Sequence, residues 1–327
     1  MSLPRIALAR AAFAVTAALS VTLLATTAQA QQLTKLRITN FTNIVVTPIF
    51  YGMEKGWYKE AGLDIEIVKV ATGAASVSAV AANQADIGWA AATVPMFARS
   101  QGVPVKIFMI ADQEGPPDHY GTHIDATAKS GINTFADVKG KTVMINAFGT
   151  AGELAIRERL MDAGISWDDV KKVVVPFPQM PAALETGNAD VAVTIYPMQG
   201  AIMANKAIGA KLLGRGNIMA SGKQVVPASI YFATDTWLAQ NAKAAAAFGK
   251  VYARAQKEID ADPKLRLEWW MKLSGMPQQV AETIPAPWFQ TPAIAKQSVQ
   301  PIYDALLKTG MMTKSFNIDD VVATIKY

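Results

Sequence analysis

Past residue 30 the chain alternates stretches of period two with stretches of period three to four. Leu63-Asp-Ile-Glu-Ile-Val-Lys-Val70 switches between apolar and polar at each step and predicts a half-buried strand. Residues 36–39, 87–90 and 103–110 predict further strands. Residues 47–55 predict a helix with Thr47 as N-cap and Pro48 in its first turn, and residues 76–82 predict another. The plan then repeats. Strands are expected at 141–145, 170–176 and 191–195, with helices at 150–163, ending at Gly164, and at 180–185. Alternation of this kind argues for an α/β chain with parallel sheets covered by helices on both faces.

Short words recur at a nearly fixed offset. Ala61-Gly62 before a strand returns as Ala163-Gly164, and Ala85-Asp86-Ile87 returns as Ala189-Asp190-Val191. Each half therefore reads as a βαβαβ unit of similar size. From Asp235 onward the pattern is almost wholly helical. Residues 242–259 carry Phe248, Val251, Ala255 and Ile259 along one stripe, and helices are expected at 263–273, 277–284 and 292–307. Such a tail returns to the first half, so two crossovers are expected, near residues 120–125 and 227–234. Trp269 and Trp270 fall where a helix packs on a core.

The first thirty residues stand apart. Arg5 and Arg10 precede an apolar stretch from Ala11 to Leu24, and Ala28-Gln29-Ala30 has the form of a cleavage site. This is the pattern of a secretory signal peptide, so an exported, periplasmic protein is expected. Removing Arg5 and Arg10 with the leader takes the formal net charge from +5 to +3. That charge is spread along the chain and does not resemble a nucleic-acid footprint.

Composition narrows the chemistry. Cysteine is absent from all 327 residues, which excludes disulfides, thiolate metal sites and a cysteine nucleophile. The two histidines, His119 and His123, stand four apart. Pro116, Pro117 and Gly121 break any helix there and no third ligand is apparent, so no metal is expected. Gly140-Lys141-Thr142 lacks the earlier glycine of a phosphate loop, because Phe135 stands in its place. No serine, histidine and acid are arranged for nucleophilic catalysis. No enzyme activity and no cofactor are expected.

Phe50-Tyr-Gly-Met-Glu-Lys-Gly-Trp-Tyr-Lys-Glu-Ala-Gly-Leu-Asp-Ile-Glu-Ile67 resembles the opening signature of periplasmic solute-binding proteins of the nitrate/sulfonate/taurine ABC-transporter family. Ala82-Asn-Gln-Ala-Asp-Ile-Gly88, Phe135-Ala-Asp-Val-Lys-Gly-Lys-Thr-Val143 and Ala183-Leu-Glu-Thr-Gly-Asn-Ala-Asp190 fit the same pattern in order. The resemblance implies a two-lobed periplasmic-binding-protein fold (Venus-flytrap, type II) with a two-strand hinge. Residues 31–121 and 233–327 would form lobe 1 and residues 122–232 lobe 2. It implies a monomer that delivers a small molecule to an ABC permease in the inner membrane, although reporting to a membrane receptor would need the same chemistry. A related branch makes the thiamine pyrimidine with a cysteine-rich motif, which this chain lacks.

In open α/β sheets, ligands bind beyond the carboxyl ends of the strands. That rule selects Thr42 and Asn43 after the first strand and Trp89 and Thr93 after the third. It selects Phe148, Gly149, Thr150 and Ala151 after the first strand of the second half, and Tyr196 after its third. His119, near a crossover, joins them. Asp112 and Glu114 read as solvated. Gly149 to Gly152 lead into a helix N-terminus, which favours an anion. Yet none of these loops carries Lys or Arg. Two ligand classes are therefore expected: a small organic acid or anion of sulfonate, nitrate or aromatic carboxylate type, or an uncharged nitrogen heterocycle of pyrimidine or flavin type.

Overall fold

A computed structural model describes residues 32–41, 43–115, 121–216 and 225–327. Thr34–Tyr327 form one compact unit, and the expected leader, residues 1–30, lies outside the described residues. Strand β1 (Thr34–Asn40) is followed by helices α1 (Thr47–Glu54) and α2 (Trp57–Glu60) and by strand β2 (Leu63–Lys69), which lies parallel to it with Leu36 opposite Ile65. Thr47 is the first helical residue rather than the cap, and its hydroxyl bonds Ile44 O. Gly62 stops α2 with a positive φ of 79°, where a side chain would be strained. Helix α3 (Gly73–Ala81), strand β3 (Gly88–Ala91), helix α4 (Thr93–Ser100) and strand β4 (Val105–Glu114) complete the first run.

The second run follows as β5 (Thr122–Ala126), β6 (Thr142–Ile145), α5 (Ala151–Asp162), β7 (Lys171–Val174), α6 (Met180–Glu185), β8 (Val191–Ile195), α7 (Met198–Ala204) and β9 (Lys211–Arg215). Its sheet has the order β7-β6-β8-β5-β9. The chain then returns through β10 (Val226–Thr234), which lies antiparallel between β3 and β4. A bridge from Ile38 to Ile87 ties β1 to the start of β3, giving β2-β1-β3-β10-β4 in the first lobe. Both lobes thus share one plan. Three parallel strands in the order 2-1-3 are extended by an antiparallel strand that arrives from the crossover.

The segments near 120–125 and 227–234, where the two crossovers are expected, are occupied by β5 and β10, which pair in the second and the first sheet respectively. Residues from 226 onward belong to lobe 1, ahead of the boundary expected at 233. Pairing with strands on both sides gives the reason: β10 is buried along almost its whole length, as an interior strand must be.

The helical tail begins earlier than its apolar stripe suggested. Helix α8 (Asp235–Ala261) is capped by the Thr234 hydroxyl, which accepts from Trp237 N, and it breaks helical geometry at Asn241. Its buried side chains include Phe248, Tyr252, Ala255 and Ile259. Helices α9 (Pro263–Ser274), α10 (Gln278–Ala281) and α11 (Lys296–Lys308) follow. Trp269 and Trp270 are buried on α9, as packing residues. Val94, Phe232 and Leu306 share one first-lobe core, while Ile124, Val143 and Ile156 share a second-lobe core. No helix among the described residues is long and apolar enough to cross a membrane.

Candidate functional site

A pocket of about 140 Å³ opens between the lobes where the strands of both sheets end. That is room for roughly ten water-sized spheres, the scale of a small organic solute. Lobe 1 contributes Phe41 and Asn43 after β1, Trp89 on β3, and Asp112, Gln113 and Glu114 at the end of β4. Lobe 2 contributes Asn146, Thr150, Ala151 and Gly152 after β6, Phe177 after β7, and Thr194 and Tyr196 at the end of β8. A strap of Pro285, Ala286, Pro287 and Trp288 completes the wall. The strap is anchored by Gln113, whose backbone N–H donates to Trp288 O (2.7 Å) and whose side-chain oxygen accepts from Gln290 N (3.1 Å).

Of the residues expected at the site, Asn43, Trp89, Thr150, Ala151 and Tyr196 line this pocket. Thr93, Phe148 and Gly149 do not. Thr93 is buried against the other lobe, its hydroxyl donating to Gly149 O (3.3 Å). Phe148 is 55% exposed, on the outside. Gly149 is used internally, its N–H donating to Glu153 Oε2 (2.7 Å). Thr42 and His119 lie outside the described residues. Asp112 and Glu114 were expected in solvent and are instead buried. Strand β4 continues four residues beyond the expected end, so its last polar residues arrive at the cleft. The strand-end rule would have found them had the strand been drawn to Glu114.

The pocket is walled by rings and hydrogen-bonding groups. Trp89 is buried and meets the Phe41 ring at 4.5 Å with a 56° tilt. Its indole N–H is buried and has no protein partner, so it offers a donor to a bound molecule. Asn43 Oδ1 caps the turn by accepting from Val45 N (2.8 Å), leaving its amide N–H₂ group. Asp112 Oδ1 accepts from Ser229 N (2.9 Å) and from the Ser229 hydroxyl. Burial raises the Asp112 carboxyl to about 6, and the two Ser229 bonds oppose that rise. Thr150 is occupied as the cap of α5: its Oγ1 accepts from Glu153 N (3.4 Å) and donates to Ala147 O (2.9 Å). No Lys, Arg or His lines the pocket among the described residues.

Behind Thr194 and Tyr196 lies a second polar layer. His123 meets the Tyr196 ring edge-on at 4.6 Å. Burial, then the charge of Arg215, pull the His123 imidazole down to about 4, so it is neutral at pH 7. Asp125 Oδ2 accepts from the Thr194 hydroxyl (2.8 Å), and burial raises its carboxyl to about 6. His123 Nδ1 and Asp125 Oδ1 are buried without a protein partner. Among the described residues, no three acids or histidines gather as a metal site.

The Asp125 shift has a testable sign. Its carboxyl holds a proton more tightly when folded than its ordinary 3.8, so stability from this group falls as pH rises from about 4 to about 6. Asp125→Asn removes that loss and leaves Asp112 and His123 to titrate as before. The variant is therefore expected to gain on the wild type as pH rises through this window. The gain is at most about 3 kcal/mol, from roughly two units at 1.36 kcal/mol each. Denaturant midpoints measured at pH 4, 5, 6 and 7 check it, and parallel curves for the two proteins would refute it.

A family model described as NMT1/THI5 like matches residues 43–265, more than half the chain and parts of both lobes. The chain belongs to the NMT1/THI5-like family. One relative is YtlA of Bacillus subtilis (strain 168), named for a binding role: 24% identity over 247 residues, 72% of this chain and 70% of that protein. Another is the 4-amino-5-hydroxymethyl-2-methylpyrimidine phosphate synthase THI13 of Saccharomyces cerevisiae (strain ATCC 204508 / S288c), with 26% identity over 225 residues. That match covers 66% of this chain and 64% of the synthase. Among solved structures, the alkanesulfonate-binding protein SsuA from Xanthomonas axonopodis pv. citri, bound to MOPS, superposes with a TM-score of 0.75. The match covers 89% of this chain and 99% of that one at 18% identity, and it shows a shared two-lobed periplasmic-binding-protein fold. The chain is therefore similar both to a protein named for binding and to a named synthase.

Proposed function

We propose that this chain is the exported solute-binding component of an ABC importer, holding one small solute between its lobes and delivering it to an inner-membrane permease. Residues 1–30 would direct export, and the chain would act as a monomer, because one chain supplies both walls of the pocket. Closure over the solute would bury it and present the closed form to the permease.

The composition of the pocket wall carries the reading of the ligand. Five aromatic rings, from Phe41, Trp89, Phe177, Tyr196 and Trp288, surround polar groups that include the carboxyls of Asp112 and Glu114. Rings and acceptors suit a flat solute that brings its own N–H donors. An anion would enter this field without a cation to meet it, and the helix N-terminus at Thr150 already serves the carboxylate of Glu153 through Gly149. The uncharged nitrogen heterocycle is thus favoured over the sulfonate- or nitrate-like anion. The helix start at Ala151 and Gly152, with the Trp89 indole N–H and the Asn43 amide, would favour a negative group.

Thermal unfolding against a panel of aminopyrimidines, flavins, aromatic carboxylates, alkanesulfonates and nitrate tests both parts. A solute at a thousand times its dissociation constant adds about 4 kcal/mol, roughly 8–16 °C for a chain of this size. A rise with the heterocycles alone is expected. A rise with sulfonates alone would overturn the ligand class and keep the binding role. A heterocycle recovered chemically altered would overturn the binding role in favour of a THI13-like activity.

A further inference from the structure

Helix α5 belongs to lobe 2, yet one of its faces is buried against lobe 1. Glu153, Leu154 and Arg157 lie on that face, and Leu154 packs into the first-lobe core with Val94 and Leu306. Glu153 is almost wholly buried. Its Oε2 takes the Gly149 N–H, and its Oε1 takes Arg157 Nε (2.8 Å) and Nη2 (2.6 Å). Arg157 Nη1 donates in turn to Thr309 O (3.4 Å), just past α11 in lobe 1. The Trp167 ring lies 5.0 Å from the guanidinium carbon and backs its plane.

The loop that Glu153 holds is the one that brings Thr150 and Ala151 to the pocket. Its other side is held by lobe 1. Thr93 donates to Gly149 O, and the Phe97 ring lies 3.3 Å from where a Cβ at residue 149 would stand. Gly149 also has φ of 78°, so only glycine fits the position without strain. The loop is thus fastened by one tether inside lobe 2, through Glu153, and by two routes that end on lobe 1, through Thr93 and through Arg157.

We infer that Glu153 and Arg157 are positioning residues that make the setting of the pocket loop and the docking of lobe 2 onto lobe 1 a single step. The inference rests on the binding role proposed above. An ion pair that only stabilised the first turns of α5 would need neither Thr309 nor Thr93. A coupling strap needs both.

Small-angle scattering of the wild type, Arg157→Gln and Thr93→Val, each without added solute, tests it. Arg157→Gln keeps a hydrogen-bonding group beside Glu153 but gives up the reach to Thr309. Thr93→Val keeps the shape of the side chain and removes only the hydroxyl. Both are expected to raise the radius of gyration above the wild-type value while unfolding cooperatively. An unchanged radius in the two folded variants overturns the inference. If Arg157→Gln does not fold, Thr93→Val decides alone by the same criterion. The solute panel is a separate measurement: a flat panel beside an enlarged radius would fail the binding role and leave the strap standing.

Discussion

Alanine at Trp89 is expected to weaken solute capture at least tenfold, about 1.4 kcal/mol, and to destabilise the chain by about 3–5 kcal/mol. Two separate contributions are lost. The ring is buried, and it forms the face against which Phe41 tilts at 4.5 Å, so its removal opens the pocket floor. The indole N–H is a buried donor with no protein partner, and a solute acceptor that uses it loses that bond. Trp89→Phe separates the two. Phenylalanine keeps most of the apolar contact and deletes the N–H, so it should retain nearly all the stability while losing the hydrogen-bond share of the affinity. Titration calorimetry with the solute that raises the unfolding temperature measures both variants. Wild-type affinity in both, with the fold intact, would remove Trp89 from the site.

Trp89 was legible in the sequence because it needs only local information: a strand, its direction and its end. The same holds for Asn43, Thr150 and Tyr196. What remained hidden depends on contacts between distant segments. Asp112 was read as solvent-facing because nothing local shows that β10 lies alongside it and that Ser229 donates to its carboxyl. The strap at Pro285 to Trp288 is brought to the pocket by a pairing with Gln113, more than 170 residues away in the sequence. Glu153 is an intermediate case. Thr150 followed three residues later by Glu is the spacing of a capping box. That spacing announces a carboxylate turned back on the loop, which bears directly on whether an anion is welcome there. The layer plan was legible for a similar reason: alternation and helix periodicity are local. The segment 227–234 reads as a crossover because β10, buried through pairing on both edges, has the same apolar texture as a connecting hinge strand.

A large effect on folding is also expected at Gly88, one residue before Trp89. Gly88 on β3 stands opposite Phe232 on β10. A Cβ there would lie 2.1 Å from Phe232 Cζ, 2.4 Å from Cε1 and 2.6 Å from Cε2. All three distances are below any real carbon contact, and the ring has nowhere to go, since Phe232 is fully buried in the first-lobe core. Backbone strain is not the reason, because Gly88 is not among the residues with positive φ. Gly88→Ala is therefore expected to cost about 3 kcal/mol, at the upper end for an overpacked core, and to lower the unfolding temperature by roughly 6–12 °C. Phe232→Ala alone is expected to cost about 3–5 kcal/mol for the cavity it leaves. In the double variant the new methyl group enters that cavity, so the two penalties should fall short of their sum by about 1 kcal/mol or more. Strict additivity in the double-mutant cycle would show that the clash with Phe232 is not what glycine avoids. Because Trp89 pairs with Tyr231 on the same two strands, any spreading of β3 from β10 that Gly88→Ala forces also moves the pocket floor. Solute affinity should then fall together with stability in the single variant and recover in part in the double.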